Sequence, residues 1–361
     1  MFMYEYTHGG NIYDETGCAN ENIIDFSANI NPLGIPEEAV TAAENSVSQS
    51  NKYPDSNCLL LSSKLAEFEN ADKSNIFCGN GASDILFRLA FAVKPKKILV
   101  TAPSFADYER AGRAAGAETI YYMLKEENNF IIEKDIINTI FKYIPDIVFI
   151  CTPNNPTGNL TDIGLIKEIA AACTAINSIL LIDECFLDFV PDPDKYSSKL
   201  LSNKNAVILK AFTKMFAMPG LRLGYAVCGD TELIGRLRSY GPDWAVSNVA
   251  QEAGIAALKN GGKYMEDTRE YVKKAREYIT EGLNNTGMTV YPSYANFVFF
   301  NCPYDIDLYS ELRKKMIVIR DCANFKGLDR GYYRAAVLTN EKNKMLLEAV
   351  KGVIELWRNQ L

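Results

Sequence analysis

A lysine and an arginine in one loop are the residues of this chain best suited to chemistry. Lys214 follows a short apolar run that predicts a strand, and Arg222 comes eight residues later, after a Pro-Gly break and before a second apolar run. A partly desolvated lysine has a lowered pKa and can act as a nucleophile, while a planar guanidinium suits a phosphate. Pyridoxal phosphate needs both groups, a lysine amine to form an imine and a cation to hold its phosphate. Taken alone, the pair is also typical of two solvated surface cations, because charged side chains are mostly exposed.

Two further stretches could bind the same group. The turn Gly79-Asn-Gly-Ala-Ser83 leads into a predicted helix, and the N-terminus of a helix favours an anion. Many such turns bind nothing, so the pattern alone is weak. Asp183 ends the apolar run ILLID, where a carboxylate is costly unless it is paired. A protonated pyridine nitrogen would pair it, and a helix cap or an ordinary ion pair are the alternatives.

Three more residues follow predicted strand ends. Asn155 lies in an Asn-Pro-Thr-Gly stretch, and its amide could donate to a ring oxygen, although a plain Asn-Pro turn explains it equally. Phe105 and Tyr108 could cover the face of a ring. Aromatic residues at helical spacing are also common in cores. These residues therefore gain weight only in combination.

The elements that must position these residues alternate between strands and helices. Short, nearly continuous apolar runs such as KILVT, DIVFICT and SILLID are separated by helical segments, which predicts an α/β fold with a mostly parallel sheet covered on both faces. Ligands in such folds bind outside the carboxyl ends of the strands, where the polar residues cluster. We predict an N-terminal arm over residues 1–36, a large α/β domain over 37–248 and a small α+β domain over 249–361.

Composition narrows the class of protein. The 361 residues are 48% hydrophobic and carry a net charge of -7, which argues against a nucleic-acid partner. Nine scattered cysteines without a C-x-x-C pair predict reduced thiols in the cytosol. The first residues lack the features of a signal peptide, and no apolar run approaches the roughly 18 residues of a membrane span. We therefore expect a cytoplasmic protein without a membrane partner.

The order of these motifs resembles fold-type I pyridoxal-phosphate enzymes over nearly the whole chain. Within that superfamily the chain is similar to the histidinol-phosphate aminotransferase branch, and most similar to the threonine-phosphate decarboxylases of cobalamin biosynthesis. The stretches that carry the closer match are 8–11 (HGGN), 25–34 (DFSANINPLG), 53–55 (YPD), 151–158 (CTPNNPTG), 183–186 (DECF), 219–225 (PGLRLGY), 320–324 (RDCAN) and 332–334 (YYR).

The resemblance implies a role for each cofactor-binding residue. Lys214 would bond covalently to the cofactor, Asp183 would pair with its ring nitrogen, and Asn155 would donate to its ring hydroxyl oxygen. Phe105 or Tyr108 would stack on the ring. The residues implied to hold the cofactor phosphate are Gly81, Ala82, Ser83, Thr213, Arg222 and, from the partner subunit of a homodimer, Tyr53.

The resemblance also implies how a substrate is held. Arg320 and Arg334 would bind its anionic groups, chiefly a carboxylate, and Asn155 would contribute. His8 and Asn31 of the arm would close over its phosphate. The implied reaction is decarboxylation of O-phospho-L-threonine, with O-phospho-L-serine as a further candidate. The alternative is amino transfer to or from a phosphorylated substrate such as histidinol phosphate.

Three residues depart from the family pattern. Ala211 replaces a hydroxyl residue usual before the lysine, which removes one phosphate contact. Phe186 stands where the aminotransferases carry a tyrosine, which favours the decarboxylases. Leu338 stands where decarboxylases often carry a second arginine. The first two differences concern the cofactor, and the third concerns the substrate.

Overall fold

The structure, a computed structural model, describes residues 8–10, 12–13, 20–200 and 204–359. Its strands are β1 (Ile24–Asp25), β2 (Ile76–Gly79), β3 (Lys97–Ala102), β4 (Glu118–Met123), β5 (Ile147–Cys151), β6 (Ile179–Asp183), β7 (Ala206–Ala211), β8 (Gly224–Cys228), β9 (Thr289–Tyr291), β10 (Phe297–Asn301), β11 (Ile317–Val318), β12 (Arg320–Asp321) and β13 (Tyr332–Ala336). Its α-helices are α1 (Glu37–Val47), α2 (Leu59–Glu69), α3 (Gly81–Val93), α4 (Ala106–Ala114), α5 (Ile136–Tyr143), α6 (Ile163–Ala175), α7 (Phe212–Met215), α8 (Thr231–Ser239), α9 (Asn248–Lys259), α10 (Gly261–Asn285), α11 (Leu308–Arg313) and α12 (Asn340–Arg358).

A seven-stranded sheet forms the centre of the molecule, in the order β2-β8-β7-β6-β5-β3-β4. The five strands from β7 to β4 are parallel, and β8 is antiparallel to both of its neighbours. The mostly parallel α/β fold predicted from the sequence is therefore confirmed. Strand β4 was not predicted, because its sequence ETIYYM lies at the sheet edge, where most of its residues are partly exposed and no continuous apolar run is needed.

Both faces of this sheet are buried, because successive side chains of a strand point to opposite faces. Phe149 of β5 packs with α3 and α4 on one face. Its neighbours Val148 and Ile150 pack with α5 and α6 on the other. Every residue of β5 is buried, which explains why the strand reads as one apolar run. The carboxyl ends of the parallel strands are the part of the sheet left for a site.

A four-stranded antiparallel sheet, in the order β12-β13-β10-β9, packs against α10, α11 and α12. Residues 317–321 form two short strands with different partners: β11 pairs in parallel with β1 of the arm, and β12 pairs with β13. The Phe26 N–H donates to the Val318 oxygen at 2.7 Å, and the Phe26 oxygen accepts from the Ala336 N–H at 2.8 Å. These bonds fasten the arm to the smaller sheet.

The predicted domain boundaries at residues 36 and 248 stay predictions, as does the cytoplasmic location. The arm is described only at residues 8–10, 12–13 and from 20 onward, so Asn11 of the HGGN stretch lies outside the described residues. None of the helices within the described ranges is both long and apolar enough to cross a bilayer.

Candidate active site

A cavity of about 250 Å³ opens where the carboxyl ends of the parallel strands meet the arm and the smaller sheet. Most of the site residues predicted from the sequence line it. These are His8, Ala82, Ser83, Phe105, Tyr108, Asn155, Asp183, Thr213, Lys214, Arg222, Arg320 and Arg334. The fold therefore gathers residues that are more than 300 positions apart in the chain, as their numbers show.

Lys214 lies in the short helix α7, directly after β7, and its side chain faces the cavity. Its Nζ atom lies 5.8 Å from the centre of the Phe186 ring. Burial of the amine lowers the pKa of Lys214 to about 8, and the nearby Arg334 guanidinium adds to the shift. A lysine with this pKa is partly neutral near physiological pH, which is the form that attacks an aldehyde.

Asp183 is a buried carboxylate at the end of β6. The Tyr108 hydroxyl donates to its Oδ2 at 2.6 Å, and the Cys185 N–H donates to its Oδ1 at 2.9 Å. Burial raises the pKa of Asp183, and these two hydrogen bonds only partly oppose the effect. The anionic form is therefore short of a countercharge, which a protonated ring nitrogen would supply.

Tyr108 has a different environment from the one predicted. Its ring is fully buried and stacks on Phe149 at 5.3 Å, while its hydroxyl is bound to Asp183. The Tyr108 hydroxyl therefore supports the Asp183 carboxylate, and stacking of its ring on a cofactor stays a prediction. Phe105 is the aromatic residue of the predicted pair that remains for stacking, and it packs edge-on against Tyr108 at 5.6 Å.

The predicted phosphate loop forms the first turn of α3. Gly81 has a φ of +80°, and a Cβ there would lie 2.5 Å from the Arg222 Nη2 atom. Glycine therefore lets the guanidinium approach the loop backbone. Gly81 itself does not line the cavity, whereas Ala82 and Ser83 do. The Ser83 hydroxyl donates to Asp107 at 2.6 Å, so a phosphate contact from Ser83 would come from its backbone N–H.

Arg334 of β13 is buried in the cavity wall. Its Nη1 donates to the Asn155 Oδ1, which leaves the amide N–H groups of Asn155 for another partner. Its Nη2 donates to the Ser27 oxygen at 2.7 Å. In the amide orientation that satisfies both groups, Asn29 accepts from Nη1 at 3.2 Å. These partners are neutral, so the charge of Arg334 is not cancelled by them.

Arg320 lies beside Arg334 in the same cavity. Its guanidinium stacks over Phe325 at 5.0 Å, and its Nη2 donates to the Asn324 Oδ1 at 2.7 Å. Burial lowers the pKa of Arg334 to about 10 and lowers that of Arg320 as well. Burying two arginine side chains next to each other costs free energy unless an anion lies between them.

Besides Gly81, two predicted residues lie outside the cavity. The Asn31 side chain donates to the Met215 oxygen at 2.7 Å and to the hydroxyls of Tyr264 and Thr268 at 2.9 Å. It thereby ties the arm to α7 and α10, and it does not face the position predicted for a substrate phosphate. Tyr53 is 79% exposed and stacks on Trp244 at 4.5 Å, so its predicted contact with a partner subunit's cofactor stays a prediction.

Sequence reasoning missed Asn29 and Asp107, both of which line the cavity. Asn29 lies in the family-like stretch of the arm, two residues before Asn31, and the pattern gave no reason to prefer one amide over the other. Asp107 directly precedes Tyr108, but a carboxylate in the first turn of a helix is usually a surface residue that favours the helix dipole. Only the tertiary structure shows that it is buried.

The chain matches the aminotransferase class I and II family over residues 21–350. It therefore belongs to that family of pyridoxal-phosphate-dependent enzymes of fold type I. It is 34% identical to threonine-phosphate decarboxylase of Salmonella typhimurium over 359 residues, which cover 98% of both chains. It is 31% identical to histidinol-phosphate aminotransferase of Caldanaerobacter subterraneus, over 91% of this chain and 92% of that one.

A solved structure, histidinol-phosphate aminotransferase from Clostridium acetobutylicum, is similar with a TM-score of 0.85 at 33% identity. The match covers 91% of this chain and 98% of that one. The residues of the cavity fit the family's cofactor, since they include an amine of lowered pKa, a carboxylate short of a countercharge and a helix N-terminus facing an arginine. Pyridoxal phosphate, when bound, supplies an electron sink for breaking a bond at the α-carbon of an amino acid.

Proposed function

We propose that this chain decarboxylates O-phospho-L-threonine to aminopropanol phosphate, a step of cobalamin biosynthesis, with O-phospho-L-serine as a second candidate substrate. The observation that carries the proposal is that Arg320, Arg334 and His8 share one cavity with Lys214. A substrate with both a carboxylate and a phosphate needs two anion sites around one reacting carbon. The full-length similarity to a threonine-phosphate decarboxylase supports the same assignment.

For the cofactor, we propose that the Lys214 amine would hold its aldehyde carbon and that the Asp183 carboxylate would pair with its ring nitrogen. Asn155 donates to the ring oxygen through the amide N–H groups that Arg334 leaves open. The phosphate is held by the backbone N–H groups of Ala82 and Ser83, which begin α3, together with Thr213 and Arg222. Phe105 covers one face of the ring.

For the substrate, we propose that Arg334 and Arg320 would bind its carboxylate and fix the direction in which it points from the α-carbon. Pyridoxal phosphate would supply the electron sink, and the direction in which the two arginines hold the carboxylate would favour loss of CO2 over loss of a proton. The Lys214 Nζ then delivers a proton to the α-carbon, and its pKa of about 8 suits proton transfer near physiological pH. Phe186 offers no hydroxyl to compete for that proton.

The test compares CO2 release with amino transfer by the purified protein supplied with pyridoxal phosphate. We expect stoichiometric CO2 from phosphothreonine without any keto acid, and we expect Arg334→Gln to reduce kcat/KM by about 10²-fold or more, as for other charged groups left unpaired. Absence of CO2 from both phosphothreonine and phosphoserine would exclude the proposal. Arg313→Gln is a matched control, because Arg313 is an arginine of the smaller domain whose hydrogen bond to Tyr309 is exposed.

The alternative function is amino transfer between histidinol phosphate and 2-oxoglutarate. The observation in its favour is the 33% identity to an aminotransferase of that name whose structure is similar over nearly its whole length. The two reactions differ in their need for a keto acid. Turnover of histidinol phosphate that depends on 2-oxoglutarate would favour the alternative.

We also propose that the protein is a homodimer. Tyr53 and Trp244 form an exposed aromatic pair, and Leu59 and Leu60 are exposed a few residues after Tyr53. Apolar side chains exposed together mark a surface that another chain covers. In such a dimer Tyr53 completes the cofactor site of the other subunit.

A further inference from the structure

We propose that Asp107 is a positioning residue that fastens His8 of the N-terminal arm over the cavity and thereby sets the affinity for the phosphorylated substrate. The part that concerns substrate rests on the function proposed above. The contact between His8 and Asp107 does not rest on that function, because both residues belong to this chain and no substrate takes part in it.

Asp107 is a buried acid in the first turn of α4, with only 5% of its surface exposed. Its Oδ1 lies 3.1 Å from the His8 Nε2 and accepts from the Arg110 Nη1 at 2.9 Å. Its Oδ2 accepts from the Ser83 hydroxyl at 2.6 Å. One carboxylate therefore joins the arm, α4 and the first turn of α3.

A carboxylate buried in this way is costly unless donors surround it. Burial works to raise the pKa of Asp107, but the hydrogen bonds from His8 and Ser83 outweigh it and hold the pKa below its ordinary value. The acid therefore stays an anion within a cavity otherwise rich in cations. Because His8 supplies one of the hydrogen bonds, removing the arm from the cavity would leave the anion less well satisfied.

The arm is fastened on a second side close to His8. The Gly10 N–H donates to the Ser27 hydroxyl at 2.7 Å, and a Cβ on Gly9 would lie 2.2 Å from the Ser27 oxygen. That same oxygen accepts from Arg334. The His8 ring also lies 5.3 Å from the Phe105 ring. The arm therefore contacts both proposed sites: Ser27 binds Arg334 of the carboxylate site, and His8 binds Asp107, which holds Ser83 of the cofactor-phosphate site.

The bond to Asp107 also fixes the orientation of the His8 ring. When one ring nitrogen of a histidine is held by a carboxylate, the tautomer and the direction of the other nitrogen are set. With Nε2 on Asp107, the Nδ1 atom is left for a further partner. A ring that carries both protons donates Nε2–H to Asp107 and Nδ1–H to a second acceptor, and the oxygen of a substrate phosphate is the acceptor that fits the proposed function.

The experiment compares Asp107→Asn, His8→Gln and the double variant in the full-length protein loaded with cofactor. The first readout is the rate of chymotryptic cleavage after Tyr13, an exposed residue of the arm. We expect each single variant to be cleaved about tenfold faster, the size expected from losing one hydrogen bond to a charged group. We expect the double variant to be cleaved no faster than the singles, because both changes remove the same contact.

The second readout is the split between KM and kcat for phosphothreonine. We expect KM to rise by about tenfold in both single variants with little change in kcat, since the proposed contact holds substrate and does not touch the reacting carbon. Glu109→Gln is the matched control, because Glu109 lies on the same helix and its carboxylate pairs with the exposed Arg113 at 3.6 Å. That variant should behave as the wild type does in both assays.

Cleavage at the wild-type rate in Asp107→Asn, or additive effects in the double variant, would overturn the proposed contact. If Asp107→Asn fails to fold, His8→Gln decides the question alone, because the His8 side chain is 37% exposed and lies outside the hydrophobic core. If the variants are cleaved faster but the wild-type protein releases no CO2 from phosphothreonine, the contact between His8 and Asp107 is upheld and the proposed substrate is rejected. The two proposals therefore fail separately.

Discussion

Lys210 and Lys214 stand four residues apart and show how local surroundings decide what a lysine can do. Burial alone would lower the pKa of Lys210, but Asp188 at 3.0 Å and Glu69 at 3.3 Å raise it well above its ordinary value. Lys210 therefore stays a protonated partner of those acids. Burial lowers the pKa of Lys214, and the nearby guanidinium groups of Arg334 and Arg222 lower it further. Only Lys214 is prepared to act as a nucleophile.

The lowered pKa of Lys214 predicts how fast the apoenzyme takes up cofactor at different pH. Only the neutral amine attacks the aldehyde, and the neutral form is present above the pKa, so the rate should rise with pH up to about 8 and then level off. Stopped-flow absorbance after mixing with pyridoxal phosphate measures that rate. The parallel reaction of N-acetyl-lysine is the control. A rate that keeps rising toward the ordinary lysine pKa of 10.5 would contradict the prediction.

Tyr108→Phe should weaken catalysis without removing the cofactor. The change deletes the hydrogen bond to Asp183 and leaves the ring packing in place. A hydrogen bond to a charged group contributes about 1.5–3 kcal/mol, so we expect kcat/KM to fall by about 10- to 100-fold. Tyr122→Phe is the matched control, because Tyr122 makes a similar bond to Asp135 outside the cavity. Equal effects of the two variants would contradict a specific role for Tyr108.

At the scale of elements, the ends of β3, β5, β6 and β7 and the first turn of α3 bring the site together. The sequence predicted these ends well, because buried parallel strands are continuous apolar runs and the polar residue that follows each run is conspicuous. It did not predict that Asn31 would lie outside the cavity or that the Tyr108 hydroxyl would bind Asp183. Asn31 occurs in a stretch that matches the family, but which way a side chain faces depends on packing between elements that are distant in sequence.

Gly81→Ala should weaken cofactor binding more than it weakens the fold. A Cβ at this position would lie 2.5 Å from Arg222 and would displace its guanidinium. Gly116→Ala is the matched control, since Gly116 also has a positive φ, of +87°, but has open space around it. We expect both variants to lose about 1–2 kcal/mol of unfolding free energy from backbone strain.

Only Gly81→Ala should raise the dissociation constant for pyridoxal phosphate, by about tenfold if one charge-assisted contact is lost. Spectroscopic titration of the two apoenzymes measures the difference. Identical dissociation constants would show that Arg222 and this loop do not hold the phosphate.

At the scale of the whole molecule, the cavity lies between the large sheet, the small sheet and the arm. Arg320 and Arg334 come from strands of the small sheet, whereas Lys214 and Asp183 follow strands of the large one. The sequence could indicate that a large and a small sheet exist, but it could not give the distance between the residues that each contributes to the cavity. That distance depends on contacts such as the one between Arg334 and Asn155.

The proposed homodimer predicts complementation between two inactive variants. Lys214→Ala lacks the nucleophile, and Tyr53→Ala lacks the residue proposed to reach the other subunit's cofactor. A mixed dimer holds one site with both residues intact, so co-expression should restore activity that neither variant has alone. Tyr278→Ala, a change at another exposed tyrosine, is the control for Tyr53→Ala. It should be active without co-expression of a second variant. A Tyr53→Ala variant with full activity would contradict the shared site.

The most direct test of the central claim is to locate the cofactor's covalent bond. The protein is incubated with pyridoxal phosphate, reduced with borohydride and digested, and the labelled peptide is identified by mass spectrometry. We predict a single label on Lys214 and none on Lys210, because the amine of Lys210 is held protonated by Asp188 and Glu69. A label on Lys210 or on surface lysines, with Lys214 unmodified, would contradict the assignment of the site.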